Sequence, residues 1–210
     1  MTSETTTDAR LLALPFETRE IATDRLRLRP LTKSDLEHRS ENYQKRTDVV
    51  RYLRWEVHDH DEPAKNLEKR IALDRLAEDG DGLIFAVELC ATDGTNDHRV
   101  IGDVSLFVKS AKDAQVEIGW VFHPAVHGRG FATEAATALL GVAFRELGAH
   151  RVYAELDAGN QASARLCDIL GMTREALLRE RDHVDGEWHD VAIFGLLDRE
   201  FEAAQAASGS

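Results

Sequence analysis

From residue 23 the chain reads TDRLRLRPLT, with Leu26 and Leu28 alternating against arginines before Leu31, the period-two pattern of a half-buried strand. Thr32 is placed to cap the next segment, KSDLEHRSENYQK, with Asp35 three residues on in capping-box spacing. A second helix is expected to begin near Pro63, which suits a first helical turn, and to bury Leu67, Ile71 and Leu76 before ending around Gly80. Three apolar runs follow: LIFAVELC (83–90), RVIGDVSLFVK (99–109) and AQVEIGWVF (114–122). Their short polar connections predict antiparallel neighbours.

After residue 123 the period changes. FATEAATALLGVAFREL (131–147) places Ala135, Leu139, Val142 and Phe144 near one side of a helix, and HRVYAELDA (150–158) is a strand. NQASARLCDILG (160–171) is a helix capped by Asn160 and stopped by Gly171. REALLRER and EWHDVAIFGLL form a hairpin across Asp185-Gly186. The order β-α-α-β-β-β-α-β-α-β-β predicts an α+β domain with a mixed, mostly antiparallel central sheet flanked by helices. Residues 1–20 and 202–210, small and polar, are expected to be flexible ends of a single domain at 21–201.

Composition narrows the function classes. The net charge is −12 and no Lys/Arg block is present, which argues against nucleic acid as a partner. Cys90 and Cys167 are far apart and form no CxxC pair, so neither a disulfide framework nor a cysteine zinc site is expected. The nine histidines form no HxxH or HExxH motif, and no metal is predicted. MTSETTTDAR lacks an apolar signal core, and no run reaches the roughly 18 apolar residues of a membrane helix, so a cytoplasmic protein without a membrane partner is expected.

HGRGFATEA (127–135) carries the candidate chemistry, at the junction of a strand and a helix. A helix N-terminus offers unpaired amides and a partial positive charge, and Gly128 and Gly130 let the backbone bring those amides close to an anion. No Lys follows Gly130, as a P-loop would require, and Thr133 stands where the third Gly or Ala of a GxGxxG fingerprint should be. Glu155, at the end of the next strand, would mimic a ribose-binding acid, which keeps an NAD(P)-binding oxidoreductase open. A plain glycine turn is the other alternative.

EIGWVFHPAVHGRGFATEA followed by NQASARLCDILGM resembles the acetyl-CoA-binding core of the GNAT-type N-acetyltransferases. Their signature, Gln/Arg-x-x-Gly-x-Gly/Ala, has Gly130 and Ala132 in its last two defined positions, with His127 where Gln or Arg is usual. TDRLRLRPLTKSDLE and GEWHDVAIFGLL are similar to the branch that acetylates N-termini of ribosomal proteins, and the resemblance spans about residues 23–200. It implies a GNAT-like fold with splayed central strands and acetyl-CoA as co-substrate. Val121 and Phe122 would pair with the pantetheine arm; Gly128, Arg129, Gly130, Phe131, Ala132 and Thr133 would hold the pyrophosphate.

The implied reaction is attack of a primary amine on a thioester in a ternary complex. A lysine amine is under ~0.1% neutral at pH 7 and an α-amine roughly 10–20%, so an N-terminal acceptor needs less help from a base. Glu117 is the candidate base, with an ion-paired surface carboxylate as the plain alternative. Many relatives donate to the leaving thiolate from a tyrosine seven residues after the helix-opening Asn; here that position is Cys167. Ser163, which matches a serine of the ribosomal-protein branch, is the better donor, and Asn160 is expected both to cap its helix and to bond the cofactor. Glu134 and Asp190 are expected to be structural. A non-catalytic acyl-CoA-binding sensor is the second function class. The acceptor, a protein N-terminus or a small-molecule amine such as a polyamine, would be read by residues 43–82 and the last hairpin. A homodimer is compatible with the sequence.

Overall fold

The computed structural model describes residues 11–35, 68–90, 99–184 and 186–208. Two short strands, Phe16–Glu17 (β1) and Ile21–Ala22 (β2), precede Leu26–Pro30 (β3). Arg75–Leu76 (β4), Gly82–Leu89 (β5), Arg99–Ser110 (β6) and Gln115–Phe122 (β7) lead to a helix, Phe131–Gly141 (α1). Arg151–Asp157 (β8), the helix Gln161–Ile169 (α2), the hairpin Thr173–Val184 (β9) and Glu187–Leu197 (β10), and the helix Asp198–Ser208 (α3) complete the order.

Among the described residues one sheet runs β2-β3-β5-β6-β7-β8-β10-β9. Its neighbours are antiparallel except β7 and β8, which are parallel. A parallel pair needs a long crossover, and α1 supplies it. The main core, including Leu28, Phe85, Val104, Ile118, Leu139 and Ala154, fills the space between the sheet and the helices, while Leu31, Ile84, Ala86 and Val100 form a smaller cluster on the other face.

Three features differ from the sequence expectation. The helix leading to Gly80 ends by residue 71, and Leu76 lies fully buried in β4, paired with Phe16. A bridge from Asp74 to Leu83 draws this segment to the sheet, and a spacing of three apolar residues cannot separate that from a helix face. Leu12 is buried, the Ala13 amide donates to the Leu147 carbonyl, and β1 pairs with β4, so the packed body begins ahead of residue 21. At the other end α3 runs on to Ser208, through residues expected to be a flexible tail, anchored by buried Phe201, which stacks on Phe144 with 4.9 Å between ring centres.

Other expectations appear as drawn. The Asp35 carboxylate takes the Thr32 amide at 2.7 Å, the capping-box contact, and also pairs with Arg29 at 2.8 Å. The expected helix from Lys33 to Lys45 and the start near Pro63 fall largely outside the described residues. Ala135, Leu139, Val142 and Phe144 are all buried, although the chain relaxes into a π-helical turn at Val142–Glu146.

Candidate active site

β7 and β8 pair only at Gln115–Arg151, Val116–Val152 and Glu117–Tyr153. Beyond these, β7 is bonded to β6 alone and β8 to β10 alone, so residues 118–122 and 154–157 face each other as two unpaired edges among the described residues. The splayed strands implied by the resemblance are thus present. Val121 and Phe122 lie on the β7 edge, and the gap opens toward the glycine loop.

That loop is braced from within. The turn Pro124–Val126 is capped by His123, whose Nδ1 accepts the Ala125 amide at 3.0 Å. His127 Nε2 donates to the Phe122 carbonyl at 3.2 Å, so the residue that departs from the family signature ties the loop to its strand. Gly128 and Gly130 have φ of 73° and 78°, in the left-handed region, and Gly130 caps α1 without a side-chain bond. No described backbone carbonyl takes the amides of residues 128–133. They are presented at the positive end of α1.

A strap from the N-terminal part of the chain holds this loop from behind. Glu134 accepts Thr23 Oγ1 at 2.6 Å, the Arg25 amide at 2.9 Å and Arg25 Nε at 2.6 Å. Arg25 Nη1 also donates to the Arg129 carbonyl at 3.0 Å, and the guanidinium sits 4.6 Å from the centre of the Phe131 ring. Burial pushes the Glu134 carboxyl up, but the bonds from Thr23 and Arg25 outweigh it and hold the group below its ordinary value. Glu134 is therefore structural, as expected, through a partner that the sequence did not reveal. Arg129 lies over the same ring at 4.9 Å, and its guanidinium has no acidic partner among the described residues.

On the helix side of the gap, Asn160 caps α2 by accepting the Ser163 amide at 3.0 Å. Trp120 Nε1 of β7 donates to Ser163 Oγ at 3.2 Å. Cys167 is fully buried, and burial pushes its thiol up to about 12. A core thiol of that kind is a packing residue, which removes Cys167 from the candidate donors.

The opposite face carries the charged groups. Glu117 pairs with Lys109 at 2.9 Å, and the hydrogen bond that Lys109 donates to Glu117 raises the lysine amine above its ordinary value. Glu155 pairs with Arg181 at 2.6 Å, and His189 Nδ1 lies 2.7 Å from Asp157. Burial raises the Tyr153 phenol. Asp190 accepts the Glu180 amide at 2.8 Å beside a register shift between β9 and β10, a structural role. Thr23, Arg25, Lys109 and Trp120 were not singled out from sequence. The alternation of leucine and arginine in 23–29 was the signal for a strand, and nothing in it marked Arg25 as the strap.

Residues 25–173 match the family model described as acetyltransferase (GNAT) domain. The chain belongs to the GNAT acetyltransferase family. It is similar to the uncharacterized N-acetyltransferase YnaD of Bacillus subtilis (strain 168), 34% identical over 49% of this chain and 59% of YnaD, so the match spans under two thirds of that relative. A GNAT-family acetyltransferase from Bacillus anthracis superposes with a TM-score of 0.71 at 26% identity, covering 86% of this chain and 99% of the other. RimL, a ribosomal L7/L12 alpha-N-protein acetyltransferase solved with coenzyme A, shares the fold at a TM-score of 0.71 and 18% identity, covering 85% of this chain and 98% of its own. GNAT membership displaces the oxidoreductase alternative, and Glu155, its would-be ribose ligand, is engaged by Arg181. No helix of the described residues is long and apolar enough to cross a membrane.

Proposed function

We propose that this GNAT protein transfers the acetyl group of acetyl-CoA to a primary amine by direct attack in a ternary complex. The observation that carries this reading is the gap between β7 and β8, which runs from unpaired strand edges to a glycine loop with unpaired amides. These parts fit the co-substrate: strand edges suit the amide-bearing pantetheine arm, and a helix-terminus loop with a nearby cation suits a diphosphate. Val121 and Phe122 would hold the arm. Gly128, Arg129, Gly130, Phe131, Ala132 and Thr133 would hold the diphosphate, with Asn160 and Ser163 near the reacting end.

Acetyl-CoA supplies the activated thioester; the chain supplies proton handling. Glu117, held by Lys109 at 2.9 Å, would accept a proton from the acceptor ammonium directly or through water. Ser163 offers its hydroxyl to the leaving sulfur. An α-amine, roughly 10–20% neutral at pH 7, asks less of Glu117 than a lysine would. A protein N-terminus is therefore the first acceptor to test, supported by the resemblance to the ribosomal-protein branch, and small-molecule amines are the second.

The test is an assay of thiol release and acetylated product with the full chain, acetyl-CoA, and a panel of N-terminal peptides, polyamines, aminoglycosides and amino-acid analogues. Acetylation of one class identifies the acceptor. Saturable acetyl-CoA binding with no acetylation of any amine would favour the sensor instead.

A further inference from the structure

We infer that Trp120 is a positioning residue that fixes Ser163 as a hydrogen-bond donor to the leaving sulfur. This rests on the assignment of Ser163 above and extends it to the group that orients it. The bond from Trp120 Nε1 to Ser163 Oγ, 3.2 Å long, joins residues 43 apart in the chain. It spans the two walls of the gap: Trp120 projects from β7 past its last pairing with β8, and Ser163 stands in the first turn of the helix that leaves β8.

The direction of this bond follows from chemistry. An indole N–H only donates, so Ser163 Oγ must accept, and one of its lone pairs is thereby fixed. The Ser163 amide is already held by Asn160 Oδ1, which anchors the same residue through its backbone. A serine in a helix ordinarily returns its O–H to a carbonyl one turn back. No described group accepts the Ser163 O–H, and the hydroxyl hydrogen is left for an acceptor in the gap. In the transfer the C–N bond forms, the C–S bond breaks and its electron pair stays on sulfur. Ser163 keeps its proton and meets the new charge with a hydrogen bond. The amine proton passes to Glu117, and the sulfur is protonated from solvent.

Steady-state kinetics and NMR of the full chain test this together. Ser163→Ala should lower kcat ~10–100-fold, the worth of one hydrogen bond to a charged group. Trp120→Phe keeps an aromatic ring and removes the donor; kcat should fall about 2- to 10-fold, the worth of one neutral hydrogen bond, with the KM for acetyl-CoA unchanged. The double variant should be no slower than Ser163→Ala. Acetyl thioesters of more acidic thiols, whose sulfur needs less help, should narrow both deficits. In the ligand-free protein the Trp120 indole N–H signal, assigned by triple-resonance spectra of the wild type, should move and exchange faster in Ser163→Ala. An unmoved indole signal in Ser163→Ala overturns the inference even if Trp120→Phe fails to fold. So does a Trp120→Phe variant with full kcat beside a slow Ser163→Ala, an outcome that leaves the Ser163 donor standing. Wild-type kcat in Ser163→Ala would remove the donor role itself, and the role of Trp120 with it.

Discussion

At the loop end of the gap the proposed contacts come from consecutive residues, 128–133, and most are backbone amides. On the open face of the sheet each charged group is met from another strand: Glu117 by Lys109, Glu155 by Arg181, Asp157 by His189. The first region is made by backbone conformation, so an added side chain should damage it as a whole. The second is made by side-chain pairs, so one substitution should change one function and leave the fold intact.

The largest expected effect is at the loop. Gly130→Val puts a β-branched residue at φ of 78° and brings a Cβ to 3.4 Å from Arg25 Nη2. With two charge-assisted bonds lost at about 1.5–3 kcal/mol each, acetyl-CoA affinity should fall ~100-fold or more by calorimetry, while circular dichroism stays native. Next comes the charged face. Glu117→Gln should lower kcat about 100-fold, the lower end of what a general base contributes, with acetyl-CoA affinity unchanged, the opposite split.

The strap lies between the two regions in effect. Glu134 has a folded-state value below the ordinary one, so its contribution to stability is full above about pH 4.3 and is lost as pH falls through the depressed value. Thermal melts of wild type and Glu134→Gln should differ at neutral pH and converge on acidification. The smallest effect is expected at Lys109→Met, since the lysine side chain is 44% exposed and pairs of this kind contribute under about 1 kcal/mol. Urea denaturation would measure it.

This contrast also explains what the sequence disclosed. Gly128, Gly130, Asn160 and the alternating strands 83–122 announce themselves because their signals are local: turn chemistry, capping and period. The strap does not, because Arg25 and Glu134 meet across 109 residues and each alone reads as a surface charge. Trp120 likewise reads as one apolar position of a strand, and its partner lies on a helix beyond the next strand. Cys167 occupies the position of a family tyrosine, but chain position carries no information about burial, and only packing shows it to be core. Leu76 reads as helical in the sequence because its neighbour in space, Phe16, lies in a segment whose composition suggests a loose end.

The most direct measurement is calorimetric titration of wild type and Gly130→Val with acetyl-CoA, with NAD in parallel. The account predicts saturable acetyl-CoA binding to wild type, none for NAD, and loss of binding in the variant. Failure of wild type to bind acetyl-CoA, or undiminished binding by Gly130→Val, would contradict it.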